Sequence, residues 1–418
     1  MVLSPAIPLA SGTKYMAAIA VDARDKAGNA LTLSRRCSFT TRRDLEHGFG
    51  GPILIVTSDS RPFTKYYSEI LRAEGIGSFE CIELSQITDQ LLDRFSLAIL
   101  GEMPLSETQV AMFSKWVQRG GDLISMRPDK KLARLLGLEH RGASVKDGYL
   151  LIDTAADPGH GITGETIQFH GAADLYTRSK GVTEIARLYR DASNATIHPA
   201  ITLREIGKLG GQAAAFSYDL ARSIVYTRQG NPAWVGDERD GNPVIRPNDL
   251  FFGAKVGDEH PDWNDLQRIA IPVADKQQRL LVHLMNFMLE GKAPLLRLWY
   301  FPKGHKAVLV MAGDDHGTRN GSQRSFDRLK ATEPEGCSLI GWECYRATSW
   351  IYTTSGLTTE DARTYAADGF DIGLHVNTGC KNVKPSAFSE IVAKQLYDFR
   401  TKYRDLPAQT GSRTHCLT

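Results

Sequence analysis

Apolar positions along the chain follow two alternating rhythms. Between residues 52 and 136, short unbroken apolar runs alternate with stretches whose apolar residues recur every three or four positions. The runs at 52–57, 79–84, 96–100 and 122–126 read as strands. The intervening stretches read as helices: 63–73 with Tyr66, Ile70 and Leu71 spaced along one face, 110–117, and a short one at 131–136. Strand–helix alternation predicts a parallel sheet with both faces covered. Unbroken runs such as Ile53-Leu-Ile-Val56 fit burial on both sides.

From about 140 to 260 the periodicity weakens. Short strand-like pieces at 148–152, 186–189, 212–217 and 223–227 lie among Gly, Asp and Pro residues. A long helix at 277–289 follows. After Lys292-Ala-Pro the alternation returns. Lys306-Ala-Val-Leu-Val-Met311 predicts a buried strand leading into Gly313-Asp314-Asp315-His316. A helix at 357–367 has Thr359, Glu360 and Asp361 at its start, which suits cap and dipole preferences, and Gly369 ends it. A strand runs to His375, and a helix at 385–403 carries Phe388, Ile391, Val392, Leu396 and Phe399 on one face.

The first 42 residues do not make a complete domain. Residues 14–21 are strand-like, Asp25, Gly28 and Asn29 mark a turn, Leu31 and Leu33 alternate with polar residues, and Cys37 opens a closing strand. Residues 43–51, with Gly48, Gly50 and Gly51, read as a linker.

A chain of 418 residues predicts two to four domains. Its 42% hydrophobic and 23% charged content is that of an ordinary globular protein and excludes a mainly disordered one. A formal charge of +2 argues against coating nucleic acid or an anionic membrane. No apolar run approaches the roughly 18–20 residues of a transmembrane helix; the longest, 280–289, is interrupted by His283 and Asn286. The first residues lack the basic-then-apolar pattern of a signal peptide. None of the six cysteines forms a CxxC pair, which argues against a zinc knuckle. Cys337 and Cys344 are close enough to be bonded, or are two buried thiols.

Chemistry concentrates at Asp314-Asp315. Adjacent ionised carboxylates repel, and a divalent cation offsets that charge; a solvated turn capping the next helix is the plain alternative. Asp371-Ile-Gly-Leu-His375 places a histidine at a second strand end. Parallel strands of an α/β barrel bring such ends to one face.

With these motifs, residues 300–418 resemble the polysaccharide deacetylase family, the NodB-homology domain. The resemblance implies that Asp314 is the general base and Asp315 a metal ligand. It makes His375 a second ligand and Arg413 the residue that orients Asp314. The implied cofactor is Zn²⁺ or another divalent transition metal, and the implied reaction is metal-assisted hydrolysis of an acetamide or acetyl ester. The family's usual second histidine, four residues after the first, is replaced here by Gly379. His415 is the favoured third ligand, with His316, Cys380 or water as alternatives. Trp342, Tyr345, Trp350 and Tyr352 cluster between the motifs and either line a sugar groove or pack beneath a loop.

Residues 52–292 resemble glutamine-amidotransferase-like domains at Pro52-Ile-Leu-Ile-Val-Thr57, at Trp116 to Asp122 with Gly120-Gly121, and at Phe216 to Gly230. The turn Leu100-Gly-Glu-Met-Pro104 carries no Cys or Ser nucleophile, and Cys81 falls inside a strand, so the domain reads as non-catalytic. Ser58-Asp59-Ser60 either caps the next helix or binds an anion. Leu9-Ala-Ser-Gly-Thr-Lys-Tyr15, Val21-Asp22, Ala27-Gly-Asn29 and Ser38-Phe-Thr-Thr41 resemble the end of a bacterial Ig-like domain.

The expected architecture is therefore α/β. A short β-sandwich remnant (1–42) and a linker (43–51) precede a flavodoxin-like parallel-sheet domain (52–292), and a partial, distorted (β/α) barrel follows (293–418). The resemblances imply a secreted or cell-surface bacterial protein that removes acetyl groups from a polysaccharide or amino sugar. They also imply that strands precede Met1 and that later motifs follow Thr418, which would leave this stretch weakly active by itself. The alternatives are a non-catalytic surface protein that binds carbohydrate, and a metal amidase acting on peptides.

Overall fold

The computed structural model of the chain describes residues 14–19, 24, 28, 30, 35–40, 48, 50–155, 157–253, 255–257, 262–297, 307–315, 317–409 and 411–415. Two compact units emerge: Met1–Gln229 with Asn264–Tyr300, and Gly230–Trp263 with Phe301–Thr418. Residues 230–263, expected in the middle domain, thus group with the second unit. Of the N-terminal region, β1 (Lys14–Ile19) and β2 (Arg35–Thr40) form an antiparallel pair with Lys14 opposite Thr40. The strand expected around Leu31 and Leu33 lies outside the described residues.

The first unit is built on a nine-stranded sheet. Its parallel part comprises β3 (Ile53–Thr57), β4 (Phe79–Glu83), β5 (Leu97–Leu100), β6 (Asp122–Met126) and a later strand, Gly211–Phe216. They lie in the order β4-β3-β5-β6 followed by the later strand, the flavodoxin-like arrangement. Three helices connect them: α1 (Tyr66–Ala73), α2 (Asp89–Leu92) and α3 (Glu107–Gln118). Both parities of the strands are apolar because both faces are covered. Ile53, Ile55, Leu97 and Ile99 pack with Tyr67 and Leu71 of α1, whereas Leu54, Val56, Ala98 and Leu100 pack with Phe113, Trp116 and Val117 of α3. Helix α3 starts in a capping box: Gln109 N–H donates to Ser106 Oγ at 3.2 Å, and Ser106 N–H donates to Gln109 Oε1 at 2.9 Å.

Beyond β6 the weakly periodic region is mostly antiparallel sheet. After α4 (Ala133–Leu136) come β7 (Leu138–Lys146), β8 (Tyr149–Ile152), β9 (Ile167–Gln168), β10 (Ala172–Arg178), β11 (Val182–Tyr189), β12 (Ala195–Ile206) and β13 (Gly211–Phe216). Strands β7 and β10 form a separate pair, while β12, β11, β8 and β9 extend the main sheet antiparallel from β13. The strand expected at 223–227 is instead part of α5 (Leu220–Gln229). The Asp219 carboxylate accepts from Ala221 N–H at 3.1 Å, and Leu220, Ala221 and Ile224 are buried at helical spacing, which overrides the β-branched composition. Helix α6 (Val273–Met288) returns to the α1 face, burying Leu281, Leu284 and Met285.

The second unit holds a four-stranded parallel half-barrel: β14 (Ala312–Asp315), β15 (Thr348–Ile351), β16 (Asp371–Asn377) and β17 (Arg413–His415), in that order. Helices α7 (Gly321–Thr332), α8 (Thr359–Ala367) and α9 (Pro385–Lys402) connect successive strands. All three cover one face. Phe326, Ala362, Tyr365 and Phe399 pack with Ile351, Ile372, Leu374 and Val376 of the sheet. Pro at the first position of α9 and the Thr358 side chain accepting from Asp361 N–H fix two of the helix starts.

One expectation fails here. The apolar run before Gly313 is not a buried strand: strand structure starts at Ala312, and Leu309 and Val310 are exposed. Thr348 N–H donates to Met311 O at 3.0 Å, so pairing with β15 begins only there. The described residues are nonetheless α/β, with a large parallel-dominated sheet in the first unit and a parallel half-barrel in the second.

Candidate functional site

Strand parity decides which side chains share a surface in the half-barrel. Neighbouring positions in register are Asp314, Trp350 and Gly373, and, one residue later, Asp315, Ile351 and Leu374. Side chains alternate faces along a strand, and in-register neighbours share one. Ile351 and Leu374 belong to the core beneath the helices, so Asp315 points that way. Asp314, Trp350, His375, Arg413 and His415 fall on the opposite face, near the C-terminal ends of their strands. His375 is in register with Arg413, and Asn377 with His415.

On that face the polar groups converge. Arg413 Nε lies 3.1 Å from Asp314 Oδ1, and His375 Nδ1 lies 3.9 Å from the same oxygen. The His375 side chain is only 1% exposed. Its ring centroid is 5.5 Å from that of His415. Tyr352, just past the end of β15, stacks on His375 at 5.2 Å and meets His415 edge-on at 5.8 Å. Burial and then the Asp314 charge push the Tyr352 phenol above its usual range. Trp350 forms part of the floor. Its indole lies over Gly373, where an added Cβ would collide with the six-membered ring, so a side chain at 373 would displace it.

Asp315 occupies a different environment. Oδ1 accepts from Gly317 N–H (3.1 Å), Thr318 N–H (2.9 Å) and Thr318 Oγ1 (2.8 Å), while Oδ2 accepts from Ser322 N–H (3.0 Å) and Ser322 Oγ (2.8 Å). Burial opposes its ionisation, but the hydrogen bonds from Thr318 and Ser322 hold its carboxyl below the ordinary range. Ser322 Oγ also lies 2.8 Å from Ser349 Oγ of β15. The carboxylate thus ties the start of α7 to the sheet, and the structure does not bring it together with His375.

Other expected site residues are placed as follows. Trp342 and Tyr345 precede Thr348, at the N-terminal end of β15 and so at the opposite end of the sheet from His375; both are exposed. Trp342 lies in a loop closed by a Cys337–Cys344 disulfide, and Tyr345 directly follows it. Neighbouring Arg346 donates to Asp368 O at 2.6 Å, just before β16 begins, and pairs with Glu333. The substrate-groove role expected for these two aromatics therefore has no geometric support, because the loop packs at the wrong end of the strands. Cys380 is disulfide-bonded and cannot serve as a thiolate ligand. His316 lies outside the described residues. Gly373 was missed as a site residue; the only sequence signal was its spacing from Trp350 and His375.

The side chains on this face match in donor type the metal that the deacetylase resemblance implies. Two imidazoles and one carboxylate on a single face are the donor types that zinc accepts. Asp314 and His375 are near enough to share an ion; His415 would have to turn toward them. Among the described residues, tighter groupings occur elsewhere, but neither offers free donors. In one, Cys337 and Cys344 are bonded to each other beside Glu333. In the other, with Glu238 and Asp240, Asp249 accepts from the N–H groups of Arg239, Asp240 and Arg246.

In the first unit, the Leu100-Gly101-Glu102 turn is occupied by salt bridges. Glu102 bridges Arg127 (3.0 Å) and Arg222 (2.9 Å), and Arg127 also pairs with Asp174 (3.0 Å). No nucleophile stands on this turn.

No family model and no curated protein matches the chain. Among solved structures, it is similar to a β-galactosidase from Bacillus circulans sp. alkalophilus, at 9% identity over 42% of this chain and 30% of that one, with a TM-score of 0.33. An α-L-fucosidase isoenzyme 2 from Paenibacillus thiaminolyticus aligns at 11% identity over 58% of this chain and 33% of that one, with a TM-score of 0.36. A cytoplasmic protein from Salmonella typhimurium aligns at 11% identity over 66% and 95%, with a TM-score of 0.34. The chain spans about a third of the length of the two glycosidases. Likeness this low establishes neither a shared fold nor a shared activity.

Proposed function

We propose that the second unit carries a metal-dependent hydrolase site that removes acetyl groups from a polysaccharide or amino sugar. The observation that carries this reading is the convergence of Asp314, His375, Arg413 and His415 on one face at the ends of parallel strands. His375 and His415 with a carboxylate would hold the metal. Such an ion, zinc or another divalent transition metal, supplies a Lewis acid and a water acidified toward neutral pH. Arg413 fixes the orientation of Asp314 through the guanidinium contact at 3.1 Å. Tyr352 stacks on the His375 imidazole and meets that of His415 edge-on, and Trp350 offers a flat surface of the kind on which a pyranose ring rests.

The test is acetate release from a panel of acetylated glycans and acetyl-peptides, with Zn²⁺ or Co²⁺ added and with chelator. Glycan-specific release that chelator abolishes and His375→Ala lacks is the expected result. Release from peptides alone would move the assignment to an amidase. A second reading, a non-catalytic carbohydrate-binding surface protein, is favoured by one observation: Asp315 is not part of the site. Glycan binding without acetate release or metal uptake would select it.

A further inference from the structure

We infer that the first unit carries a separate ligand site, a cavity beside the edge of its sheet that takes a sugar bearing a free amine. The inference rests on the proposed deacetylation only for the source of that sugar, since hydrolysis of an acetamide leaves an amine where the acetyl group was.

Strand parity builds the cavity. β4 is the edge strand of the nine-stranded sheet, and it runs parallel to β3 with Cys81 opposite Ile55 and Glu83 opposite Thr57. In-register neighbours share a face, and so do alternate residues of one strand. Ile55 packs with Tyr67 and Leu71 of α1, so Cys81, Glu83 and Thr57 face that helix. On α1, Tyr66 and Glu69 are three positions apart and lie on one side of the helix. Between these elements is a cavity of about 500 Å³, a volume typical of small-molecule pockets. Thr57 and Glu83 end their strands, so the cavity lies at the carboxyl end of the parallel sheet, where open α/β sheets bind ligands.

Charge then selects the ligand. Glu80, on the other face of β4, is paired with Arg94 at 3.0 Å. At the cavity, Lys65 is paired with Asp59 at 3.0 Å. Glu69 and Glu83 remain, with no ion pair or side-chain hydrogen bond among the described residues. A half-buried carboxylate such as Glu83 is costly without a cation near it. An ammonium supplies that charge and three donors, and the Tyr66 ring offers a face on which a cation rests. The cavity is far larger than an ammonium. Thr57, Ser68 and Gln86 line the rest of it with hydroxyl and amide groups, the partners that sugar hydroxyls need. A hydroxylated ring carrying one amine meets all of these features.

The experiment is calorimetric titration of the full chain with glucosamine oligomers, with the same oligomers fully N-acetylated, and with putrescine. The free-amine oligomers should bind at least about tenfold more tightly than the acetylated ones, the factor expected from hydrogen bonds to a charged group, and more tightly than putrescine. Their advantage over the acetylated oligomers should shrink as salt rises. Glu69→Gln, on the exposed side of α1, and Glu83→Gln should each weaken binding about tenfold, and Tyr66→Leu roughly three- to tenfold. His375→Ala should bind as the wild type does. Alkylation of Cys81 by iodoacetamide, read at its own peptide by mass spectrometry, should slow when the cavity is filled. Acetylated oligomers binding equally well, or affinity unchanged in both Glu variants, overturns the ammonium assignment. Putrescine binding as tightly overturns the sugar. No binding, or binding that leaves Cys81 alkylation unchanged, overturns the site. A chain that binds free-amine oligomers here but releases no acetate keeps this site and loses the proposed function.

Discussion

Asp122 makes the stability of the first unit depend on pH in a direction opposite to that of most carboxylates. It opens β6 and is completely buried. Oδ1 accepts from Lys292 Nζ at 2.7 Å and from Gln212 N–H at 3.0 Å, while Oδ2 has no hydrogen-bond partner. Burial raises its pKa to about 6, and the Lys292 charge only partly offsets that. Against an ordinary value near 3.9 the rise is about two units, or about 3 kcal/mol at 1.36 kcal/mol per unit. Because the folded state holds this proton more tightly than the unfolded one, the contribution is complete below about pH 4 and is lost as pH rises through about 6.

The perturbation is Asp122→Asn, which keeps an acceptor for Gln212 but has no proton to lose. Lys292 retains the carbonyls of Gly210 at 2.7 Å and Gly120 at 3.3 Å. Relative to this variant, the wild type should lose about 3 kcal/mol of stability between pH 4 and pH 8. Amide exchange at Leu123 and Ile124 reads this locally, without assuming that the two units unfold together. Lys292→Met should move the transition to higher pH, because the remaining cationic support for the carboxylate is gone. Parallel wild-type and Asp122→Asn profiles across this range would refute the reasoning, since they would mean that folding does not change the affinity of Asp122 for its proton.

Three further outcomes are expected. Gly373→Ala forces the Trp350 indole off the sheet, costs about 1–3 kcal/mol by overpacking, and changes the near-ultraviolet dichroism; an unchanged spectrum and melting temperature would show that the floor of the site is not packed this way. Ser106→Ala removes one side of the α3 capping box and should cost about 1 kcal/mol in urea unfolding, with exchange accelerated first in the initial turn of α3. Replacing both Cys337 and Cys344 by Ser opens a loop of sequence separation 7 and should cost roughly 2–3 kcal/mol by the chain-entropy estimate. Because the loop lies away from the ends of the strands that carry His375, metal affinity should not change.

The parallel strands were legible because burial on both faces leaves an unbroken apolar run, and few other structures demand one. Ile53 to Val56 and Leu97 to Leu100 are fully buried or nearly so. The antiparallel half was poorly legible for the complementary reason. In β11 and β12, bulges shift the register, so the two-residue alternation that would announce them is broken. Residues 223–227 misled because Ile, Val, Tyr and Thr favour strands, while the helix there is imposed by Asp219 at its start and by packing against α6. The run before Gly313 misled in the reverse sense: it is apolar enough for a buried strand, but the ladder to β15 begins only at Ala312.

At the site, residue types were legible and their geometry was not. Asp314 and His375 could be chosen because each lies at or beside a predicted strand end, whereas Arg413 and His415 came only from the deacetylase resemblance. Which member of the Asp-Asp pair faces the histidines turns on a single step of strand parity, and the apolar pattern could not supply it, since the apolar run and the strand are offset. A local clue was nevertheless present. Thr318 and Ser322 stand three and seven residues after Asp315 at a helix start, the positions from which hydroxyl and backbone donors reach back to a preceding carboxylate. A pair of adjacent carboxylates followed by such donors assigns one to the helix and leaves the other for chemistry, so the two need not share a metal to avoid repelling each other. The hydrogen bonds on Asp315 and the guanidinium on Asp314 disperse the two charges on opposite faces of the same strand.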